Sequence, residues 1–315
     1  MARTPDTGLG RRGFLRLALL GVGATALGRP LAASAHAGGA AELDGLAGLP
    51  VGIAMRHGRA VVVGEDDAGR AAVWWSQDGA PWTLARRGPE PGAVLGDVAA
   101  AAGGFVTVGS SSRRPAAWWS RDGSSWELAS ELPAPGHLVA VAASRRSVLA
   151  GGTRLDGEAE EGTGALLVSI DRSGAWGALS TAGIGDLAHG SITALARHGA
   201  AWVVAGIGTG AGGLWRATSS DRWTASPVPG REPVVWSSLL PLHTSLIALG
   251  TTVAGGDVRL ARWADGRGWL LDAVPAALAA LGADLRGGSL EDAAGTIVAV
   301  SATGAVPRLV AGATG

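Results

Sequence analysis

The chain has 315 residues, 26 basic and 26 acidic side chains, no cysteine and no tyrosine. Every basic side chain is an arginine, so disulfides, thiolate metal sites and iron–sulfur clusters are excluded, along with lysine, cysteine and tyrosine nucleophiles. Length alone would allow two ordinary domains.

The chain opens with Gly10-Arg11-Arg12-Gly13-Phe14-Leu15-Arg16, a short apolar stretch and Ala35-His36-Ala37. The apolar run from Phe14 to Leu27 falls short of the roughly 20 residues that cross a bilayer, and Arg16 interrupts it. A basic start, a short apolar middle and small residues before a cut make a removable secretory segment. Arg11, Arg12, Phe14 and Leu15 resemble the twin-arginine export signal, with Ala35 and Ala37 as the cleavage site. The resemblance implies folding before export and an extracytoplasmic or secreted location. Residues 1–37 are therefore read as the signal, 38–50 as a linker and closing strand, and 51–315 as one domain. Cleavage takes five arginines and one aspartate from the 26 of each sign, leaving a net charge near −4. That sign argues against nucleic acid as the partner, and no apolar run of membrane-spanning length follows.

Two markers repeat in step beyond the signal. Apolar runs ending in a small residue close at Gly64, Gly109, Gly151, Gly206, Gly250 and Ser301, and tryptophans recur at 82, 126, 176, 223 and 269. A period of 40–50 residues in short, β-rich segments bounded by glycine, serine and aspartate predicts four strands per unit, as at Val98–Ala102, Phe105–Gly109, Ala116–Ser120 and Ser125–Ala129. Such units close into an all-β propeller that hides its sheet edges. Five complete units and a sixth without its last hairpin predict six four-stranded blades, with seven as the alternative count, and Glu42–Leu49 supplying the missing strand. Residues 273–283 are rich in helix formers and predict a short inserted helix.

Ser76-x-Asp78-Gly79-x-x-Trp82 and Ser120-x-Asp122-Gly123-x-x-Trp126 resemble the Asp-box, or BNR, repeat of sialidase-type propellers, one residue shorter than usual. Ser169, Asp171 and Trp176 keep the usual frame with glycine one place late. The residue chemistry makes these boxes structural: serine and aspartate bond the amides of their own turn, glycine supplies positive φ, and tryptophan packs between blades. The resemblance places them opposite the usual catalytic face. Sialidases of this family use a tyrosine nucleophile, which this chain lacks; other Asp-box hydrolases use paired carboxylates.

No catalytic, cofactor or metal site is expected. The histidines are scattered, the acidic residues lack calcium-loop spacing, and no Gly-x-Ser-x-Gly elbow occurs. A ligand would meet the face built from the turns between second and third strands and from the connections between blades. Its candidate rim is Asp66, Arg86, Arg113, Arg114, Asp156, Glu160 and Arg231. The reading is a monomeric, exported, non-enzymatic binding or scaffolding module for a glycan, a cell-wall polymer or a protein; a carbohydrate-active hydrolase with paired carboxylates is the alternative.

Overall fold

The computed structural model describes residues 46–310 apart from 47, 79, 146, 156–161, 171–174, 182, 185–189, 209–211, 219–221, 242–244, 255, 266, 275, 280–284, 292–295 and 302–307. The first blade is β1 (Leu49–Arg56), β2 (Arg59–Glu65), β3 (Ala71–Gln77) and β4 (Thr83–Leu84). The second is β5 (Val94–Ala101), β6 (Gly104–Ser111), β7 (Arg114–Ser120) and β8 (Glu127–Glu131). The third is β9 (Gly136–Ala143), β10 (Val148–Leu155), β11 (Gly162–Ile170) and β12 (Trp176–Ala178). The fourth is β13 (Ser191–His198), β14 (Ala201–Ile207), β15 (Gly212–Ala217) and β16 (Thr224–Ala225). The fifth is β17 (Val234–Pro241), β18 (Ser245–Thr252), β19 (Val258–Ala264) and β20 (Gly268–Asp272), and a three-stranded sheet follows: β21 (Leu285–Glu291), β22 (Thr296–Ser301) and β23 (Arg308–Val310).

Strands pair in chain order and antiparallel within every sheet. The first strands pack side by side in the order β1, β5, β9, β13, β17 and β21, and β21 returns against β1. The architecture is therefore a closed β-propeller with these strands lining its axis. Between the first two blades lie Val61, Val63, Leu95, Phe105, Trp118 and Trp126. Val106, Val108, Leu138 and Val168 fill the second interface, Leu149, Ile192 and Trp202 the third, and Val203, Trp236 and Leu246 the fourth. Alternate apolar side chains of each central strand supply both interfaces, which is why these strands read as continuous apolar runs.

Two expectations need correction. Six or seven four-stranded blades are not found: among the described residues five sheets have four strands and the last has three. Leu49 and Pro50 do not close that last sheet either, because they pair with Glu65 and Gly64 and so begin the inner strand of the first blade. The rest of the proposed closing segment, residues 42–45, lies outside the described residues, while Leu46 packs on the cluster holding Trp74 and Trp82. Of the expected helix, Ala276–Ala279 are helical, and 275 and 280–283 lie outside the described residues.

Each inner strand carries a register shift near its start, skipping Val51, Gly96, Val139, Thr193, Ser237 and Arg286 in turn. This repeated β-bulge explains the glycine marker. A Cβ on Gly64, Gly109, Gly152 or Gly250 would overlap a carbonyl oxygen just before the bulge, that of Leu49, Val94, His137 or Val235. In the third blade the glycine in this role is Gly152 rather than Gly151, one place later than the sequence pattern suggests.

Candidate functional site

The bulges gather at the end of the axis where the inner strands begin. Val51, Gly96, Val139, Thr193 and Ser237 are half-buried, whereas their neighbours on both sides are buried, with the exception of Asp97. A bulge bends its strand and releases one residue from the ladder. Here it leaves a ring of half-buried positions around this end of the axis, the channel mouth.

Asp97 is the acid of this ring. Its Oδ1 accepts the Val98 amide at 2.8 Å, and its Oδ2 accepts the Val141 amide of the next inner strand at 3.0 Å. An inner strand has a ladder partner on one side only, so an amide that bonds Asp97 points away from that partner, towards the axis. One carboxylate thus caps two axial amides and joins the second blade to the third. Gly52 of the first blade stands against it: a Cβ there would come within 2.7 Å of Oδ1. The residue as a whole is half-buried, and burial of its carboxyl among these three strands pushes its pKa up to about 7, against the lowering effect of the two amides.

The other polar members are hydroxyls. Thr193 Oγ1 donates to the Trp236 carbonyl at 2.7 Å, tying the fourth blade to the fifth, and Thr107 Oγ1 donates to the Asp97 carbonyl at 2.8 Å. Ser237 Oγ lies 3.5 Å from the Leu249 carbonyl. Each hydroxyl spends its proton on the backbone and keeps acceptor capacity.

Beside the mouth, the second and third blades form a basic corner. Ser112 and Arg113 take left-handed φ values of 47° and 67° in the two-residue turn between β6 and β7, the geometry of a tight hairpin. The Arg113 carbonyl accepts the Gly136 amide at 2.9 Å, and Arg154 pairs opposite Gly136. His137 Nδ1 lies 3.5 Å from Ser110 Oγ; burial, then the Arg113 charge, push its pKa down. On the other face of β6, Glu90 accepts Trp118 Nε1–H at 2.9 Å and a Ser111 bond, while its buried Oε1 has no partner among the described residues. Burial pushes the Glu90 carboxyl up, but the Ser111 and Trp118 bonds outweigh it and hold the group below its ordinary value.

Of the expected rim residues, only Arg113 and Arg114 meet at this corner. Asp66 folds its own turn, accepting the Ala68 and Arg70 amides and pairing with Arg70 at 2.7 Å. Arg86 lies elsewhere: its amide donates to the Ser124 carbonyl, against the second blade's last hairpin. Arg231 is exposed between the fourth and fifth blades. Asp156 and Glu160 lie outside the described residues. Asp97, Thr193 and Ser237 escaped the sequence reading; the available signal was a lone acid after Gly96 inside an apolar strand, the pattern of a bulge.

The Ser-x-Asp-Gly turns occupy the opposite end, where the Asp78 amide donates to the Gly58 carbonyl of the neighbouring turn at 2.8 Å. Ser76 Oγ donates to the Ala80 carbonyl. Ser120 Oγ accepts the Gly123 amide at 2.7 Å, Asp122 Oδ1 accepts the Ser124 amide at 2.9 Å, and Trp126 Nε1 donates to the Gly123 carbonyl at 2.9 Å. Burial pushes the Asp122 carboxyl up, but the Ser124 bonds and the Arg59 charge hold it below its ordinary value. Trp82 is buried in the first blade. Ser169 differs: it lies within β11 opposite Leu149, one register place before the position of Ser76, and bonds across the ladder to the Gly177 carbonyl. Trp176 does hold the place of the other tryptophans, whereas Asp171 and Gly79 are outside the described residues.

No protein-family model and no curated protein matches this chain. Solved structures do. The chain is similar to YjhT at 12% identity, covering 85% of this chain and 95% of that one with a TM-score of 0.57. It is similar to the Aleuria aurantia lectin in complex with α-methyl-L-fucoside at 12% identity, covering 81% and 88% with a TM-score of 0.55. A third is the Staphylococcus aureus virginiamycin B lyase with quinupristin, at 11% identity, 83% and 94% coverage and a TM-score of 0.55. At these identities the likeness is one of fold.

Proposed function

We propose that the protein is an exported, non-enzymatic binding module that takes a glycan at the channel mouth. The observation that carries this reading is the bulge ring, which gathers two hydroxyls, one carboxylate and the half-buried Val51 and Val139 around one end of the axis. Concave, largely apolar sites with a few converging polar groups are where small ligands bind. Lectins use this fold, which is in keeping with a sugar ligand. The Ser-x-Asp-Gly-x-x-Trp turns, read as Asp-box repeats, serve as hairpin closures at the far end. A screen of glycans and cell-wall polymers against the mature protein tests the reading; binding that survives Thr193→Val combined with Ser237→Ala would move the site away from the mouth.

A second reading, a hydrolase or other enzyme of the same fold, draws on Asp97, whose pKa of about 7 suits general acid or base work. It needs a second carboxylate on the bound substrate's other side, and turnover of a glycoside panel tests it. Export rests on Arg11 and Arg12. Changing both to lysine is expected to retain precursor in the cytoplasm, as fractionation would show; unaltered export would rule out the twin-arginine route.

A further inference from the structure

We infer that the channel mouth selects an amine-bearing saccharide, with a protonated amino group held by the Asp97 carboxylate. This rests on the channel mouth being the ligand site, and it adds what that site prefers.

A carboxylate has about four lone-pair directions. Val98 and Val141 occupy one on each Asp97 oxygen, from fixed backbone positions on two strands. The carboxylate is therefore held rigidly with acceptor capacity to spare, on a residue that is half-buried at this end of the axis. Around it the ring adds two hydroxyl oxygens. Thr193 and Ser237 donate their protons to the Trp236 and Leu249 carbonyls, so their oxygens keep only acceptor capacity for a ligand. A donor-rich group matches such a wall, and an ammonium matches it best because it brings three donors and a charge.

The charges near Asp97 leave this role open. On the strands packed against β5, the ionisable residues are Arg56 on β1, Arg59 and Glu65 on β2 and His137 on β9; β3 and β6 carry none. Arg56 and Arg59 flank the turn at the far end of their strands, and Glu65 pairs with Leu49, three residues along β1 from Gly52. Burial pushes the Asp97 carboxyl up and the two amides pull it down. Arg286 holds the bulge position of the three-stranded sheet, with β1 between that sheet and β5.

The test is calorimetric titration of the purified protein with a β-1,4-glucosamine tetramer and with its fully N-acetylated counterpart at near-neutral pH. The free-amine tetramer is expected to bind about ten-fold more tightly or better, the scale of one charge-assisted hydrogen bond. Asp97→Asn should abolish that preference, so that the two tetramers bind the variant equally. A measurement on the unaltered protein guards against a variant that misfolds: at about pH 6, amine binding should release close to one proton, seen as a dependence of heat on buffer ionisation. Equal affinity for the two tetramers, or no proton release, overturns the amine preference and leaves glycan binding standing. Binding of neither tetramer also overturns it, and the wider screen then decides whether the parent reading survives. An amine preference retained by a folded Asp97→Asn protein would put the ammonium elsewhere.

Discussion

Gly109 has an ordinary backbone conformation, so its need for glycine is steric. A methyl group there would overlap the Val94 carbonyl oxygen, which belongs to a strand held by the second blade's own ladder and cannot withdraw as a flexible side chain would. Gly109→Ala should therefore destabilise by roughly 1–3 kcal/mol or more, the range of overpacking in a tight interior. A urea midpoint within error of the parent would show that the inner strand yields. Asp97 makes a prediction in pH. Its native pKa of about 7 lies above the unfolded value near 3.8, so the native state binds the extra proton between them. The stability linked to this group is present below about pH 4 and is lost as pH rises towards 7, by at most about 4 kcal/mol for three units. Glu90 and Asp122 are held low and pull the opposite way. The test is thus the difference between parent and Asp97→Asn melting temperatures at pH 4 and 7.5, which should narrow or reverse as pH rises; a constant difference would place the carboxyl in an ordinary environment.

Among the elements, the last tryptophan of the second, fourth and fifth blades acts as a latch to the blade before it. The Trp126 amide donates to the Arg87 carbonyl, Trp223 Nε1 to the Ser180 carbonyl at 3.0 Å, and Trp269 Nε1 to Ser226 Oγ at 3.0 Å. Trp126 is 1% exposed and lies between the first two blades. Trp126→Ala should cost roughly 3–5 kcal/mol through the cavity it leaves, and a negligible shift in chemical denaturation would contradict that packing. Trp176 is the contrast, half-buried with Nε1 buried and without a partner among the described residues. Trp176→Phe should therefore cost about 1 kcal/mol less than Trp126→Phe, which also loses the bond to the Gly123 carbonyl. This tryptophan rhythm was legible in the sequence because one residue type holds one register position in five blades. The second blade shows how far the pattern reached. Its central strands were read to within three residues, but its first strand begins at Val94 rather than Val98, because Gly96 and Asp97 look like a loop when the bulge is unknown. Ser169 misled for a related reason: an eight-residue spacing fits the motif, yet one added residue places the serine one register position further from the turn than Ser76.

The whole molecule depends on closing the circle, and there the sequence was least informative. A ring is defined by contacts between chain-distant strands, and the approach of β21 to β1 has no local pattern to announce it. The channel mouth was hidden for the same reason: Asp97, Thr193 and Ser237 are far apart in the chain and share only their place at or beside a bulge. The three-stranded sheet stands between two apolar faces. One is the first blade's outward face, with Ile53, Met55, Val62, Trp74 and Trp82, and the other is the fifth blade's, with Leu240, Ile247, Leu249, Leu260 and Leu278. Because β21 packs on both β17 and β1, removing residues 285–315 would uncover both faces together. At roughly 1.5–3 kcal/mol per large apolar side chain returned to water, four such residues already match the 5–15 kcal/mol that holds an ordinary domain together. The shortened chain is therefore expected to lose its single cooperative transition, bind a hydrophobic dye and self-associate, since exposed patches of this kind seek a partner. Scanning calorimetry and light scattering would show it. A monomer that still melts in one transition near the parent temperature would mean that the five four-stranded blades close on themselves, and the three-stranded sheet would then be an appendage rather than part of the ring.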